Sequence, residues 1–421
     1  MSVFVGIFQK ELWTSRLLAW YLYDFANSLL IINITLYFSQ WVVIDKKVSD
    51  FWFAAPFIVA TLILVFLSPY AGELGDRKGK HYIIFMLTTL GAIGAAFLMF
   101  LAGRLSGNVI LVLVLYGFYQ LLIQTTFVPY GAFLKYLVGE GNYGKVSGIG
   151  FAFGQAGAIL GLLLTLPIIR GEVGFLGSDR LAPLLAGGIL FLILALPSFF
   201  LLRIKQAPLN YQAHSSFFSS LFNNLKKSKK YPGVLPFLLS FYFFSDAILT
   251  LNLFSAIYLQ NVFNAPDPFK VKILILVFLG FLLGAFGGGA VSDTFGHRRV
   301  LFLALVGTAA SIAAIALVGN LEVLLLLFPV FGFAIGVAYA TSRAYLASLI
   351  PPEESGKFFG LYVFAERFAS VVGPLVWGIM IWAFSAKFPF NYRLAALAMA
   401  GLVVIGILPL VLNKEKMKSW F

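Results

Sequence analysis

Cysteine is absent from the 421-residue chain. That excludes disulfides, thiolate metal sites and a cysteine nucleophile. Histidine is nearly absent, and His81, His214 and His297 lie far apart, each in a polar stretch between apolar runs. No His-Glu-x-x-His motif or comparable convergent cluster occurs, so neither an enzyme nor a bound metal or other cofactor is expected. A phosphate loop of the form Gly-x-x-x-x-Gly-Lys-Ser/Thr is missing too, which removes the usual signature of ATP-driven work. Charge is scarce, at 11% of residues, against roughly a quarter in a soluble globular chain.

What is abundant is apolar surface. Hydrophobic residues make up 61% of the chain, and phenylalanine alone occurs 46 times. One soluble core could not hide so much, whereas a lipid bilayer is itself an apolar solvent. The net charge of +13 does not point to nucleic acid, because lysine and arginine sit in short clusters between apolar runs rather than on one basic face. The amino terminus, MSVFVGIFQKELWTSR, lacks the basic start and small-residue cleavage site of a secretory signal.

A spanning helix needs about 20 mostly apolar residues. Twelve such runs are expected, near 17–43, 52–73, 82–103, 109–135, 146–169, 181–203, 234–261, 270–290, 299–319, 322–349, 357–384 and 391–412. This predicts an all-α membrane protein with an amino-terminal six-helix bundle (1–203), a cytoplasmic linker (204–233) and a carboxy-terminal six-helix bundle ending in a short basic tail (234–421). In the linker, Phe217, Phe218, Leu221 and Leu225 have near-helical spacing beside a lysine cluster, which fits either an amphipathic segment on the membrane surface or a solvated connection. The basic clusters at Lys10 and Arg16, Arg77 to Lys80, Lys226 to Lys230, Arg298 and Arg299, and Lys414 to Lys418 all fall on one side. The opposite loops hold fewer bases, offset by acids such as Asp45, Asp50, Glu172 and Asp179. Both termini are therefore expected in the cytoplasm, in a multi-pass membrane protein.

The chain repeats its own punctuation. Gly72, Asp76 and Gly79 stand as Gly-x-x-x-Asp-x-x-Gly after the second run, and Gly289, Asp293 and Gly296 repeat that pattern after the eighth. Tyr130-x-Ala132-x-Leu134 and Tyr345-x-Ala347-x-Leu349 recur at nearly the same offset, ending the fourth and tenth runs. Two six-helix halves from a parallel repeat would produce such pairs. Arg77 and Arg298 place bases beside the two loops, which are candidate gating elements.

These loops resemble the signature loop of the major facilitator superfamily. Two further stretches narrow the resemblance to its autophagy-related vacuolar amino-acid effluxer branch and the bacterial relatives of that branch. They are Tyr23-Asp24-Phe25-Ala26-Asn27-Ser28, and Ser342-Arg343-Ala344-Tyr345 with Leu349-Ile350-Pro351-Pro352-Glu353 and Phe358-Phe359-Gly360-Leu361-Tyr362. The resemblance implies two bundles rocking about a central site lined by the first, fourth, seventh and tenth helices. It implies secondary transport of a small solute, commonly coupled to protons, by a monomer in contact with lipid; the lack of long inserted loops sets this chain with the bacterial relatives, in the inner membrane. The Gly-Pro element typical of many antiporters is missing from the fifth run, and Gly373-Pro374 in the eleventh is the nearest equivalent. The direction of transport stays open.

Charges at membrane depth are costly and usually functional. The candidates are Asp24, Asp246, Arg343, Glu366 and Arg367. Desolvation disfavours the charged form of a carboxyl, so Asp24, Asp246 and Glu366 are candidate carriers of a coupling proton. A structural charge pair is the alternative. Arg343 could grip a carboxylate or phosphate in two-pronged fashion, neutralise an aspartate, or reach for the interface from its helix end. Asn27, Asn33, Tyr119, Gln124, Tyr242, Asn252 and Tyr339 add hydrogen-bonding groups on the four lining helices. Each alone fits a helix–helix contact. Together they suit a small zwitterion or organic anion such as an amino acid or short peptide. A lipid or amphipathic drug-like substrate, or a channel or scramblase, remains the alternative.

Overall fold

The computed structural model describes residues 10–138, 143–173, 179–203, 226, 228, 230–350 and 355–412. The linker reading at Phe217, Phe218, Leu221 and Leu225 lies outside these residues. Every regular element among them is helical. We number them α1 (Ser15–Asn33), α2 (Asp50–Lys78), α3 (His81–Leu101), α4 (Val109–Leu137), α5 (Tyr143–Ile169), α6 (Ala182–Leu201), α7 (Val234–Phe263), α8 (Asp267–Phe295), α9 (His297–Leu317), α10 (Leu324–Leu349), α11 (Ser355–Phe368), α12 (Val372–Ala383) and α13 (Phe390–Leu412). Two π-helical stretches, Ile34–Phe38 and Trp41–Asp45, extend α1. Among the described residues, eleven helices are long and apolar enough to cross a membrane.

The expected run at 357–384 departs from the prediction. It is two helices, α11 and α12, with the α-helix interrupted at 369–371. Proline has no N–H to donate and its ring crowds a carbonyl one turn earlier, so a first-turn position suits it best, although Pro129, Pro167, Pro197, Pro329 and Pro409 stand inside helices of this chain. Pro374 occupies that first turn of α12.

The signature loops differ in a smaller way. The turn itself is shorter than expected, because α2 runs to Lys78 and α8 to Phe295. Gly79 (φ +59°) and Gly296 (φ +90°) make the reversals, in a region only glycine occupies freely. His81 and His297 open the next helices rather than lying in loops, and His81 is 1% exposed against Gly75.

The chain divides into two compact units, 1–48 with 55–213, and 49–54 with 214–421. In the first, α1 is the central element and packs on α5 and α6. Close approach to α5 follows from glycine. A Cβ on Gly157 or Gly161 would collide with the α1 backbone at Phe25 or Leu29. Thr165 donates to Asn33 across that seam at 2.8 Å. Trp20 and Tyr130 clasp α1 to α4 reciprocally. The Trp20 indole donates to the Tyr130 carbonyl (3.0 Å), the Tyr130 hydroxyl donates to the Trp20 carbonyl (3.1 Å), and the rings stack 4.5 Å apart.

In the second unit α8 and α10 interlock through their glycines. Gly280 and Gly284 lie on the backbone of Pro329 and Phe333, while Gly332 and Gly336 lie on that of Val277 and Phe281. Such spacing lets helices approach to backbone contact in lipid, where packing rather than water drives association. α7 packs against α11, α12 and α13. Arg298, a candidate gating base, donates to the Leu410 carbonyl and ties α9 to α13.

Candidate functional site

The interrupted helix gives the second unit its most polar junction. A helix start presents N–H groups without intrahelical partners, and in apolar surroundings each must be satisfied. At α12 an aspartate does this. Gly373 N–H donates to Asp246 Oδ2 of α7 at 2.8 Å. Asp246 is 0% exposed, and its Oδ1 has no hydrogen-bond partner among the described residues. One turn on, Thr250 donates to the Asp246 carbonyl (2.7 Å). Tyr242, one turn back from Asp246, sets its ring 6.3 Å from Phe368 at the end of α11. Gly373 is required here, because a Cβ would stand 2.8 Å from Asp246 Oδ1 and closer still to Thr250 Oγ1.

A second group lies where α7, α10 and α11 meet. Phe241 stacks on Tyr362 (3.9 Å, 22°), and Tyr339 meets Phe241 edge-on (6.2 Å, 90°). The Tyr362 hydroxyl pairs with Ser342 Oγ at 3.0 Å. Arg343 of α10, four residues after Tyr339, and Glu366 of α11, four residues after Tyr362, stand one helical turn from the two tyrosines. Arg343 is exposed and Glu366 half-buried. The two form no ion pair with each other among the described residues. A cation and an anion thus flank an aromatic surface without neutralising each other.

The first unit carries its own polar set. Asp24 is half-buried beside the Tyr130 hydroxyl, with Gly154 of α5 opposite; a Cβ there would meet Ser28 Oγ at 3.1 Å and Asp24 Cγ at 3.5 Å. Each unit therefore sets an aspartate of its first helix against a glycine of its fifth apolar run. Asn27 Oδ1, the Tyr119 hydroxyl and Gln124 Nε2 are buried atoms without a hydrogen-bond partner among the described residues. Asn33 does not join them. Its amide donates to the Leu29 carbonyl (2.9 Å) and its oxygen accepts from Thr165, so it serves the α1–α5 contact. Asn252 is exposed on α7. The side chains of Gly72, Asp76, Arg77, Gly289, Asp293 and Arg367 lie outside the described residues.

One residue escaped the sequence reading. Asp50, taken there as a loop acid, is 1% exposed and accepts from Trp377 Nε1 (3.1 Å) and the Tyr392 hydroxyl (2.7 Å). Its sequence signal is weak, an acid at the start of an apolar run, since both partners lie more than 300 positions away.

Comparison with known proteins agrees with this architecture. The sequence profile of the family described as "Vacuole effluxer Atg22 like" matches residues 141–418, and that of the Major Facilitator Superfamily matches residues 3–162. The uncharacterized MFS-type transporter YxiO of Bacillus subtilis is 24% identical over 415 residues, covering 93% of this chain and 94% of that protein. Autophagy-related protein 22-1 of Neosartorya fischeri is 24% identical over 265 residues, covering 56% of this chain and 43% of the fungal protein. Among solved structures, the nucleoside transporter NupG superposes with a TM-score of 0.74 at 13% identity, over 96% of this chain and all of NupG. A bacterial homologue of the human lysosomal transporter Spinster, inward-facing and unoccupied, gives 0.67 at 12% identity, over 94% of this chain and 96% of its own. Such identities support the shared fold.

Proposed function

Since the chain belongs to the Atg22-like branch of the major facilitator superfamily, an integral multi-pass membrane transporter and not an enzyme, we propose that it moves a small zwitterion, of the α-amino-acid class, by proton-coupled alternating access. The observation that carries this reading is the pair Arg343 and Glu366. Opposite charges on α10 and α11 form no ion pair with each other among the described residues and flank the Phe241, Tyr339 and Tyr362 cluster. A guanidinium offers a planar fork that matches a carboxylate. A carboxylate across an aromatic surface suits an ammonium group, to which ring faces add a cation–π attraction. One zwitterion would satisfy both charges, leaving neither bare in the membrane. Asp246 is the proposed seat of the coupling proton, because it is a carboxyl wholly withdrawn from solvent, which protonation would neutralise. Asp24 is the corresponding candidate in the first unit.

Binding to purified protein, read as a thermal shift across amino acids, short peptides and organic acids, tests the substrate class. A charge-assisted hydrogen bond contributes about 1.5–3 kcal/mol, so Arg343→Lys is expected to weaken binding of the preferred zwitterion by about tenfold or more. Glu366→Gln should weaken the zwitterion while sparing its deamino analogue. Equal binding of the zwitterion, its deamino analogue and its ester would refute the assignment.

A further inference from the structure

Asp50 is buried in the second unit, and the substrate and proton positions above leave it without a task. Its segment, 49–54, groups with that unit. Both carboxylate oxygens are engaged, by Trp377 of α12 and Tyr392 of α13. Around them the packing is tight. Phe254 of α7 stacks on Trp377 (4.9 Å, 4°), Phe53 meets Phe254 edge-on at 6.0 Å, and Gly378 leaves room for Phe51, which a Cβ would approach to 3.2 Å.

This cluster is continuous with the Asp246 junction. Asp246, Thr250 and Phe254 succeed one another by single turns along α7. Gly373 and Trp377 do the same along α12. The two stripes face each other: Gly373 against Asp246 and Thr250, Trp377 against Phe254. α12 is only 12 residues long and is separated from α11 by the interruption at 369–371. Its hydrogen-bond ladder does not continue into α11, so side-chain contacts set where it sits. Two carboxylates supply polar ones, Asp246 at its amino terminus and Asp50 one turn further on.

We propose that Asp50 is a positioning residue for α12: by seating Trp377, it holds the amino terminus of that half-helix on Asp246. This deepens the transport reading and rests on Asp246 being its coupling site. The acid turns the indole N–H and the Tyr392 hydroxyl from buried orphans into a grip on α12. The titratable groups facing the pair are Tyr242 of α7 at Asp246 and Tyr392 of α13 at Asp50. α10 and α11 bring Tyr339, Tyr362 and Glu366 toward α7 around Phe241. α12 offers only non-titrating amides and the Trp377 indole.

The test uses the full chain, whose lack of cysteine makes a single reporter clean. Ser370→Cys places a thiol in the interruption, where Ser370 is 7% exposed. Its maleimide reaction rate reports how firmly α12 is seated. Asp50→Leu orphans two buried donors and Trp377→Phe removes one of them. Either is expected to raise the thiol's rate by about fivefold or more, and the double variant no further than Asp50→Leu. Asp50→Asn keeps an acceptor for the indole and should stay within about twofold of the parent. In parallel, carbodiimide modification of Asp246, followed against pH by mass spectrometry, should shift its midpoint in Asp50→Leu and Trp377→Phe. Folded, monodisperse variants with the parent's thiol rate and the parent's Asp246 profile would overturn the proposal. Should Asp50→Leu not fold, Trp377→Phe carries the same test. If thiol rates rise while Asp246 resists modification at every pH, positioning stands and the coupling-proton assignment falls.

Discussion

Alanine at Gly373 should cost far more than alanine at Gly154, although both glycines oppose an aspartate from the first helix of their unit. At Gly373 the new Cβ would lie 2.8 Å from Asp246 Oδ1 and 2.9 Å from the Asp246 carbonyl, with Thr250 Oγ1 nearer still. Thr250 cannot easily swing aside, because its hydroxyl is bound to the Asp246 carbonyl and it is stiff about its first torsion. Relief requires α12 to retreat by roughly 1 Å, to ordinary van der Waals distance. That would stretch the 2.8 Å bond from Gly373 N–H to Asp246 beyond useful length. Overpacking costs about 1–3 kcal/mol, and a hydrogen bond to a charged group adds about 1.5–3 kcal/mol. At Gly154 the nearest atoms would be 3.1 and 3.5 Å away, and Ser28 Oγ is the one that must yield. Alanine's better helix propensity, worth up to about 1 kcal/mol, offsets much of that. Thermal unfolding in detergent decides the matter, at about 2–4 °C per kcal/mol for a unit of this size. Gly373→Ala should lower Tm by about 5 °C or more, and Gly154→Ala should change it by no more than about 2 °C. Equal shifts would mean that the α12 amino terminus is not seated on Asp246.

Two further outcomes follow from the same junctions. Asp246→Asn keeps an acceptor for Gly373 N–H but removes the titrating group; in proteoliposomes it should abolish transport driven by a pH gradient while leaving Tm near that of the parent, and undiminished pH-driven flux would sink the coupling assignment. Thr165→Val leaves the buried Asn33 oxygen without its donor, for a loss of about 1–3 kcal/mol, so Tm should fall while substrate binding is spared; weakened binding at unchanged Tm would return Asn33 to the substrate site.

The helices were legible because lipid makes the demand simple, an apolar run of sufficient length. The close α1–α5 seam leaves its trace in the repeated glycines of α5, Gly150, Gly154, Gly157 and Gly161. The break in the eleventh run was half-legible. Gly373-Pro374 was conspicuous, but proline also stands inside several unbroken helices of this chain, and the carboxylate that receives the freed Gly373 N–H, Asp246, lies 127 positions away. Arg343, Glu366 and Tyr339 could be picked out as costly groups in apolar runs, whereas their convergence on Tyr362 needed three dimensions. Asn33 looked like its neighbour Asn27, and only the donor at Thr165 separates their roles. Asp50 was hidden for the opposite reason. A charge just outside an apolar run resembles any solvated loop residue, and nothing nearby announces the two donors that bury it.

The glycine interlock of α8 and α10 has a mechanical consequence. Helices in backbone contact behave as a toothed joint: shifting one along the other by a single residue would drive side-chain-bearing positions such as Val277 or Phe333 into the opposite main chain. The pair is free to tilt or rotate as one beam, but its members cannot shear. Bending within this unit is expected instead where the ladder is already open, at residues 369–371.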